Sequence, residues 1–167
     1  LASLDPAPSY LVLSGSFPPA VALTFYDDLL RLTRRIGARL VVDLSGESLA
    51  YAARRGGAYL LKPSLNELST LVGRPITSEV EQEQALRGLM ANGCAQIIVL
   101  SLGAEGALVA YGEQLHRLRS PQVPVVSAVG AGDSMLGAIV LALAEGRGID
   151  EAVRFGIAAG SATVMRP

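Results

Sequence analysis

Short apolar runs alternate along this chain with stretches in which apolar residues recur every three or four positions. The first rhythm predicts buried strands and the second predicts amphipathic helices. "YLVL" (10–13) reads as a first strand. A helix over 21–36 follows, with Val21, Phe25, Leu29, Leu32 and Ile36 on one apolar face. "RLVVDL" (39–44) is a second strand, "ESLAYAARR" (47–55) a short helix and "AYLLK" (58–62) a third strand. Helices are predicted over 65–72 and 79–91; Ser78, with Glu81 three positions on, opens the latter as a capping box. "QIIVLSLG" (96–103) is a fourth strand. "GALVAYGEQLHRLRS" then alternates across Gly112 and Glu113 and reads as a hairpin. Helices over 133–144 and 150–165 close the chain, the second opened by Asp150. This order predicts an α/β fold: a mainly parallel sheet with helices on both faces. No repeat, low-complexity segment or linker divides residues 1–167, so one unit is expected.

Composition narrows the chemistry. Half of the residues are hydrophobic and 17% charged, which suits a packed domain and excludes a disordered one. A net charge of −1 gives no footprint for nucleic acid and no polybasic membrane patch. A single cysteine, Cys94, excludes an internal disulfide and fits a reducing compartment, so a cytoplasmic location is expected. With one histidine, His116, beside that one cysteine, neither a zinc site nor a Cys–His nucleophile is expected. Cys94 is expected to pack after a helix, and His116 to be structural within the hairpin. The longest uncharged apolar run (134–144) falls short of the roughly 20 residues of a membrane span and is expected to be a buried helix. "LASLDPAPSYLVLSG" carries no basic region before its apolar segment and no initiator Met. The sequence reads as if it begins inside a longer protein.

In open parallel sheets, ligands bind beyond the carboxyl ends of the strands. The polar and glycine-rich pieces fall there: "SGS" (14–16), "DLSGE" (43–47), "KPSLNE" (62–67) and "SLGAEGA" (101–107). "VGAGD" precedes the apolar helix. Glycines before a helix turn the backbone tightly and present N–H groups to an anion. Asp133 at that place is a favoured cap, worth about 1 kcal/mol. With Gly130, Ala131 and Gly132 it is also the arrangement phosphoryl transfer needs: a base for a hydroxyl beside N–H groups that stabilise charge. Lys62 is either a strand-end lysine with its ammonium in water or a ligand of nucleotide phosphates. Ser64 and Glu67 form a capping box, or order Mg²⁺ and its water. Ser16 either ends a plain turn or binds a sugar hydroxyl or phosphate.

"LSGSFPPA", "VVDLSGESL", "LKPSLNELSTLVGR", "VLSLGAEGAL", "VGAGDSMLGA" and "VRFGIAAGSATV", in this order, resemble the ribokinase-like (PfkB) sugar-kinase family. Within it, the surroundings "SGS-PP" and "KP-xx-NEL" narrow the resemblance to phosphosugar kinases, and the set as a whole most resembles the minor bacterial type of 6-phosphofructokinase. The resemblance implies a ribokinase-like three-layer sandwich and ATP-dependent phosphorylation of a sugar phosphate, fructose 6-phosphate to the 1,6-bisphosphate first of all. Fructose 1-phosphate, tagatose 6-phosphate and uncharged sugars are alternative acceptors, and a non-catalytic nucleotide-binding module is an alternative of another class. It implies Asp133 as base and Gly130, Ala131 and Gly132 as anion hole. It implies Lys62, Ser64, Ser101, Leu102, Gly103, Ala104, Glu105 and Gly106 as contacts of ATP, with Val125, Ile157 and Ser161 lining its base. Ser16 would touch the phosphosugar and Glu67 would hold Mg²⁺ through water. A monovalent cation such as K⁺ would sit at Ser127, Val129, Thr163 and Arg166.

Two positions depart from the family pattern: Ser64 and Arg166 each replace an Asn. The resemblance also implies that an amino-terminal half, with the lid, most sugar-binding residues and the contacts of a homodimer, lies outside this sequence. The 167 residues are therefore expected to keep the nucleotide half-site, to show little kinase activity alone, and to leave a sheet edge uncovered.

Overall fold

The parity of side chains along the strands decides which helices pack where. On β2 (Arg39–Leu44), Leu40, Val42 and Leu44 are buried on one face of the sheet and Val41 on the other. The same alternation separates Leu61 from Leu60 on β3 (Ala58–Leu61), and Ile98 and Leu100 from Ile97 and Val99 on β4 (Ala95–Ser101). Strands apolar on both sides need helices on both sides.

The computed structural model describes residues 6–166. Among them, six strands form one sheet in sequence order, from β1 (Tyr10–Gly15) through β2, β3 and β4 to β5 (Ala107–Tyr111) and β6 (Gln114–Leu118). The first four strands are parallel; β4–β5 and β5–β6 are antiparallel. Parallel neighbours joined by right-handed crossovers throw every connecting helix to the same face. Accordingly α1 (Phe25–Ile36), α2 (Gly46–Arg55), α3 (Leu65–Val72) and α4 (Glu79–Ala91) share one core, including Tyr26, Leu30, Leu49, Leu68 and Leu86. The antiparallel hairpin releases the chain from that pattern. α5 (Ala131–Ala144) and α6 (Ile149–Val164) then cover the opposite face with Leu136, Ile139, Val153 and Ile157. The α/β sandwich and the hairpin turn at Gly112 and Glu113 match the sequence reading.

Four boundaries differ from expectation by two residues or more, the first that of β1, which runs on to Gly15. α1 starts at Phe25, because the residues after Pro18 and Pro19 close separate turns, Val21 N–H to the Pro18 carbonyl (2.8 Å) and Phe25 N–H to the Ala22 carbonyl (2.9 Å). Its buried stripe is Tyr26, Leu30 and Thr33; Phe25 is exposed and packs edge-on to Phe17. The fourth strand stops at Ser101, and Gly103–Glu105 coils into a single 3₁₀ turn. α5 begins two residues before Asp133. β1 is an edge strand whose Val12 is 45% exposed. Among the described residues, no helix is long and apolar enough to cross a membrane.

Candidate active site

Strand register assembles the centre of the rim. The Lys62 N–H donates to the Val42 carbonyl at 2.9 Å, which sets Lys62 beside Asp43 at the ends of β3 and β2. Both follow the parity of Leu60 and Val41, so they emerge on the face covered by α5 and α6. Lys62 is 5% exposed, and its Nζ lies 3.0 Å from Asp43 Oδ2. It is a buried, paired cation rather than a chain extended into water. Burial raises the proton affinity of Asp43 above its ordinary value and outweighs the opposing pull of the Lys62 ammonium. Glu67 and Asp133 push in the same direction as burial, which brings three carboxylates and one ammonium into one electrostatic neighbourhood.

Asp133 approaches that group from α5. Gly130 has φ +76°, the left-handed conformation that lets the chain turn abruptly into the helix. No side chain caps α5; Asp133 is in its first turn, exposed, with its carboxylate uncommitted to a cap. The Ala131 N–H already reaches the Ala128 carbonyl at 3.4 Å, and the Ser134 N–H takes the Gly130 carbonyl at 2.9 Å. Among the described residues, no acceptor meets the N–H groups of Gly132 and Asp133 between them. The Gly130 N–H is likewise without an acceptor among them, so of the expected Gly130–Ala131–Gly132 set only Ala131 is engaged, and Asp133 adds a further open donor. A methyl group added to Gly132 would stand 3.6 Å from Lys62 Nζ, so the ammonium and the helix start share one small space. Positive helix end, bare N–H groups and buried ammonium together make a seat that favours an anion.

A groove of about 420 Å³ leads away from this seat. Its walls include Ser101, Gly103, Ala104 and Gly106 from one side, Ala131 and Gly132 from the helix start, and Val125, Ile157 and Ser161 from the far side. The volume is that of a small-molecule site. Met135, Ile157 and Val164 make much of its lining apolar. Within the expected loop, Leu102 packs into the core under α1–α4 and Glu105 faces a neighbouring recess, so neither lines the groove. The sequence reading put Asp43 in a rim loop without giving it a role, and it missed the connecting segment from Ser120 to Val123, which forms a groove wall. "RSPQVPVV" gives no periodic signal, and only its position between hairpin and helix could have pointed to it.

Ser64 and Glu67 form the predicted capping box. Glu67 Oε2 accepts from the Ser64 N–H and from Ser64 Oγ, both at 2.8 Å, while Ser64 Oγ accepts from the Glu67 N–H at 3.3 Å. The other oxygen of Glu67 makes no hydrogen bond among the described residues. No group of three or more His, Cys, Asp and Glu able to hold a metal occurs among them. A divalent ion here would thus keep water and ligand phosphates in its shell, with Glu67 and Asp133 as the carboxylates at hand, a donor set that suits Mg²⁺.

The residues expected around a monovalent cation meet at the end of α6. Val126 and Ser127 N–H groups donate to the Val164 carbonyl at 2.7 and 3.2 Å, the Arg166 N–H donates to the Thr163 carbonyl at 3.1 Å, and the Val129 N–H reaches Ser127 Oγ at 3.4 Å. Ser16 lies beyond the end of β1 on the same rim; it is exposed and lines neither the groove nor the recess.

The chain is 43% identical over 155 residues to ATP-dependent 6-phosphofructokinase isozyme 2 of Escherichia coli K12, a stretch that covers 93% of this chain and 50% of that protein. It is 33% identical to 1-phosphofructokinase of Bacillus subtilis, again covering 93% of this chain and 50% of that protein. It superposes with a TM-score of 0.88 on phosphofructokinase-2 from E. coli solved in complex with potassium, at 43% identity, covering 94% of this chain and 51% of that one. The chain spans about half the length of the curated relatives it matches. The pattern of the pfkB family of carbohydrate kinases matches residues 6–167, and the chain belongs to that family.

Proposed function

We propose that the protein carrying this chain transfers the terminal phosphoryl group of ATP to a hydroxyl of a sugar phosphate, with fructose 6-phosphate the first acceptor to test. The observation that carries this reading is the uncommitted carboxylate of Asp133, set in the first turn of a helix whose start, with its bare N–H groups, lies beside the buried Lys62 ammonium. Asp133 takes the proton of the acceptor hydroxyl as its oxygen bonds to phosphorus. The bond from phosphorus to the leaving oxygen of ADP breaks, and the Gly132 and Asp133 N–H groups meet the charge spread over the transferring group. Lys62 adds a fixed positive charge, held in place by Asp43. Glu67 would hold, through water, a Mg²⁺ carried on the ATP phosphates, and the ion would supply charge neutralisation there. The base of the nucleotide lies between Val125, Ile157 and Ser161. Similarity to both 6- and 1-phosphofructokinases supports a phosphosugar acceptor. The similar potassium-bound structure supports a K⁺ site at the loop of Ser127 and Val129 and the end of α6 around Thr163 and Arg166. By this reading the 167 residues alone bind ATP–Mg²⁺ with little turnover.

The test compares wild type and Asp133→Asn in the whole protein, with fructose 6-phosphate, fructose 1-phosphate and tagatose 6-phosphate as acceptors. Loss of the base is expected to lower kcat by about 10²–10⁴-fold while ATP binding is retained. Equal rates would overturn the role of Asp133, and no turnover on any acceptor would overturn the kinase. A nucleotide-binding module without transfer is the second reading, favoured by the engagement of Glu67 in its cap. ATP binding without turnover in the whole wild-type protein would select it.

A further inference from the structure

Two hydroxyls from distant parts of the chain meet on the wall of the groove. Ser120 stands just beyond β6 and Ser161 in the last turn of α6; both are half-buried, and their Oγ atoms are 3.0 Å apart. Val123, Val125, Ile157 and Val164 share the lining, so the pair is a polar spot on a largely apolar wall. A few fixed polar groups in an apolar pocket decide which ligand fits it. Each hydroxyl carries one proton. That of Ser161 goes to the Ile157 carbonyl one turn back, at 2.8 Å, so Ser161 Oγ accepts from Ser120. The other acceptor within reach of Ser120, the Pro121 carbonyl at 3.3 Å, is also protein. Either way the Ser120 proton is spent inside the protein, and its oxygen offers the groove lone pairs alone. Gln122 lines the groove as well, but an exposed amide turns either its carbonyl or its amine to a ligand and selects neither.

We propose that Ser120 is a specificity-determining residue that reads the edge of the nucleotide's base, accepting from an exocyclic amine and disfavouring a carbonyl in its place. The inference rests on the reading of the groove as the nucleotide site. An amine at the six position of a purine extends a chain in which every donor points the same way, from the amine to Ser120, from Ser120 to Ser161 and from Ser161 to the Ile157 carbonyl. A carbonyl there sets two acceptors against each other, unless the Ser120 proton leaves its protein partner. Ser161 is a positioning residue in this scheme, since it acts through Ser120 by fixing the polarity of the chain. The apolar wall meets the face of any purine alike, so the preference for adenine over hypoxanthine comes from the hydroxyl pair.

The test is the binding of ATP, inosine triphosphate and purine riboside triphosphate, each with Mg²⁺, to the whole protein by titration calorimetry. The three differ in what the six position bears: an amine, a carbonyl or a hydrogen. ATP is expected to bind about tenfold more tightly than inosine triphosphate, the effect of one neutral hydrogen bond, with purine riboside triphosphate between them. Ser120→Ala should bring ATP and inosine triphosphate to within about twofold of each other, and Ser120→Thr, which keeps the hydroxyl, should hold the preference. A ratio taken on one preparation is unaffected by a fraction of unfolded protein, so a merely structural role for Ser120 would not move it. Equal affinities in the wild type, or a preference that survives Ser120→Ala, would overturn the inference and leave the groove a nucleotide site. Failure of all three to bind would overturn the inference and the nucleotide reading together. Binding is measured without an acceptor, so absence of turnover on every sugar phosphate would bear on the proposed kinase alone.

Discussion

Asp133 and Lys62 show what a residue can and cannot reveal in isolation. The carboxylate of Asp133 at a glycine turn reads equally as cap or base from sequence. The geometry removes the cap, because the helix starts two residues earlier and Asp133 lies inside its first turn. Lys62 was ambiguous for another reason: its partner, Asp43, is distant in sequence and becomes a neighbour only through the register of β2 against β3. Their pair is a balance between burial and attraction. Since burial raises the proton affinity of Asp43, its contribution to stability is present in acid and is lost as pH rises through its elevated pKa. At neutral pH, the Lys62 ammonium is what makes the buried carboxylate tolerable. Lys62→Met should therefore cost about 3–5 kcal/mol, the effect of leaving one buried charge unpartnered, whereas Lys62→Met with Asp43→Leu should cost much less. Urea denaturation of the wild type, both single variants and the double variant at pH 7 measures this coupling; additive losses would contradict it.

At the level of elements, the decisive contact is between α5 and α6. A methyl group on Gly156 would meet Ile139 Cγ1 at 2.5 Å and the Met135 carbonyl oxygen at 2.8 Å, and one on Gly160 would stand 3.1 Å from the Ala131 carbonyl oxygen. The helix carrying Asp133 therefore rests directly on glycine backbone. Gly156→Ala would gain up to about 1 kcal/mol in helix propensity but lose about 1–3 kcal/mol to overpacking, so the net effect is a loss. A lowered Tm together with a lowered kcat is expected, because α5 moves with its base; an unchanged Tm would refute the close approach. The glycines were visible as "GIAAG", four positions apart on one helix face, but their contact depends on a partner helix that sequence does not orient. The start of α4 was legible in full, since a capping box is local. Glu81 Oε2 accepts from the Thr77 and Ser78 N–H groups at 2.9 and 3.1 Å, and with Arg74 these bonds hold the carboxyl at about 2. A depressed acid stabilises above its unfolded value near 4.5, and that stability is lost as pH falls toward 2. Glu81→Gln should flatten this acid limb of a pH–stability profile; an unchanged limb would mean that the cap is not what titrates.

For the molecule as a whole, the order of strands and helices was readable because parallel crossovers leave few topologies open. Every helix and strand position but one holds to within two residues; α1 slipped by four because the residues after Pro18 and Pro19 close separate turns before it. The rim was legible as a cluster of loops, yet its division into groove and recess was not. That division depends on how the segment from Ser120 to Val123 folds across the ends of β4 and β5. The antiparallel hairpin has a practical consequence of its own. Tyr111 pairs with Ile97 near the start of β4, while Ala107 pairs with Ser101 at its rim end. The turn at Gly112 and Glu113 therefore lies at the opposite end of the sheet from the rim, exposed and free of the groove. A fluorophore or affinity handle attached there would report on the protein without intruding on its chemistry.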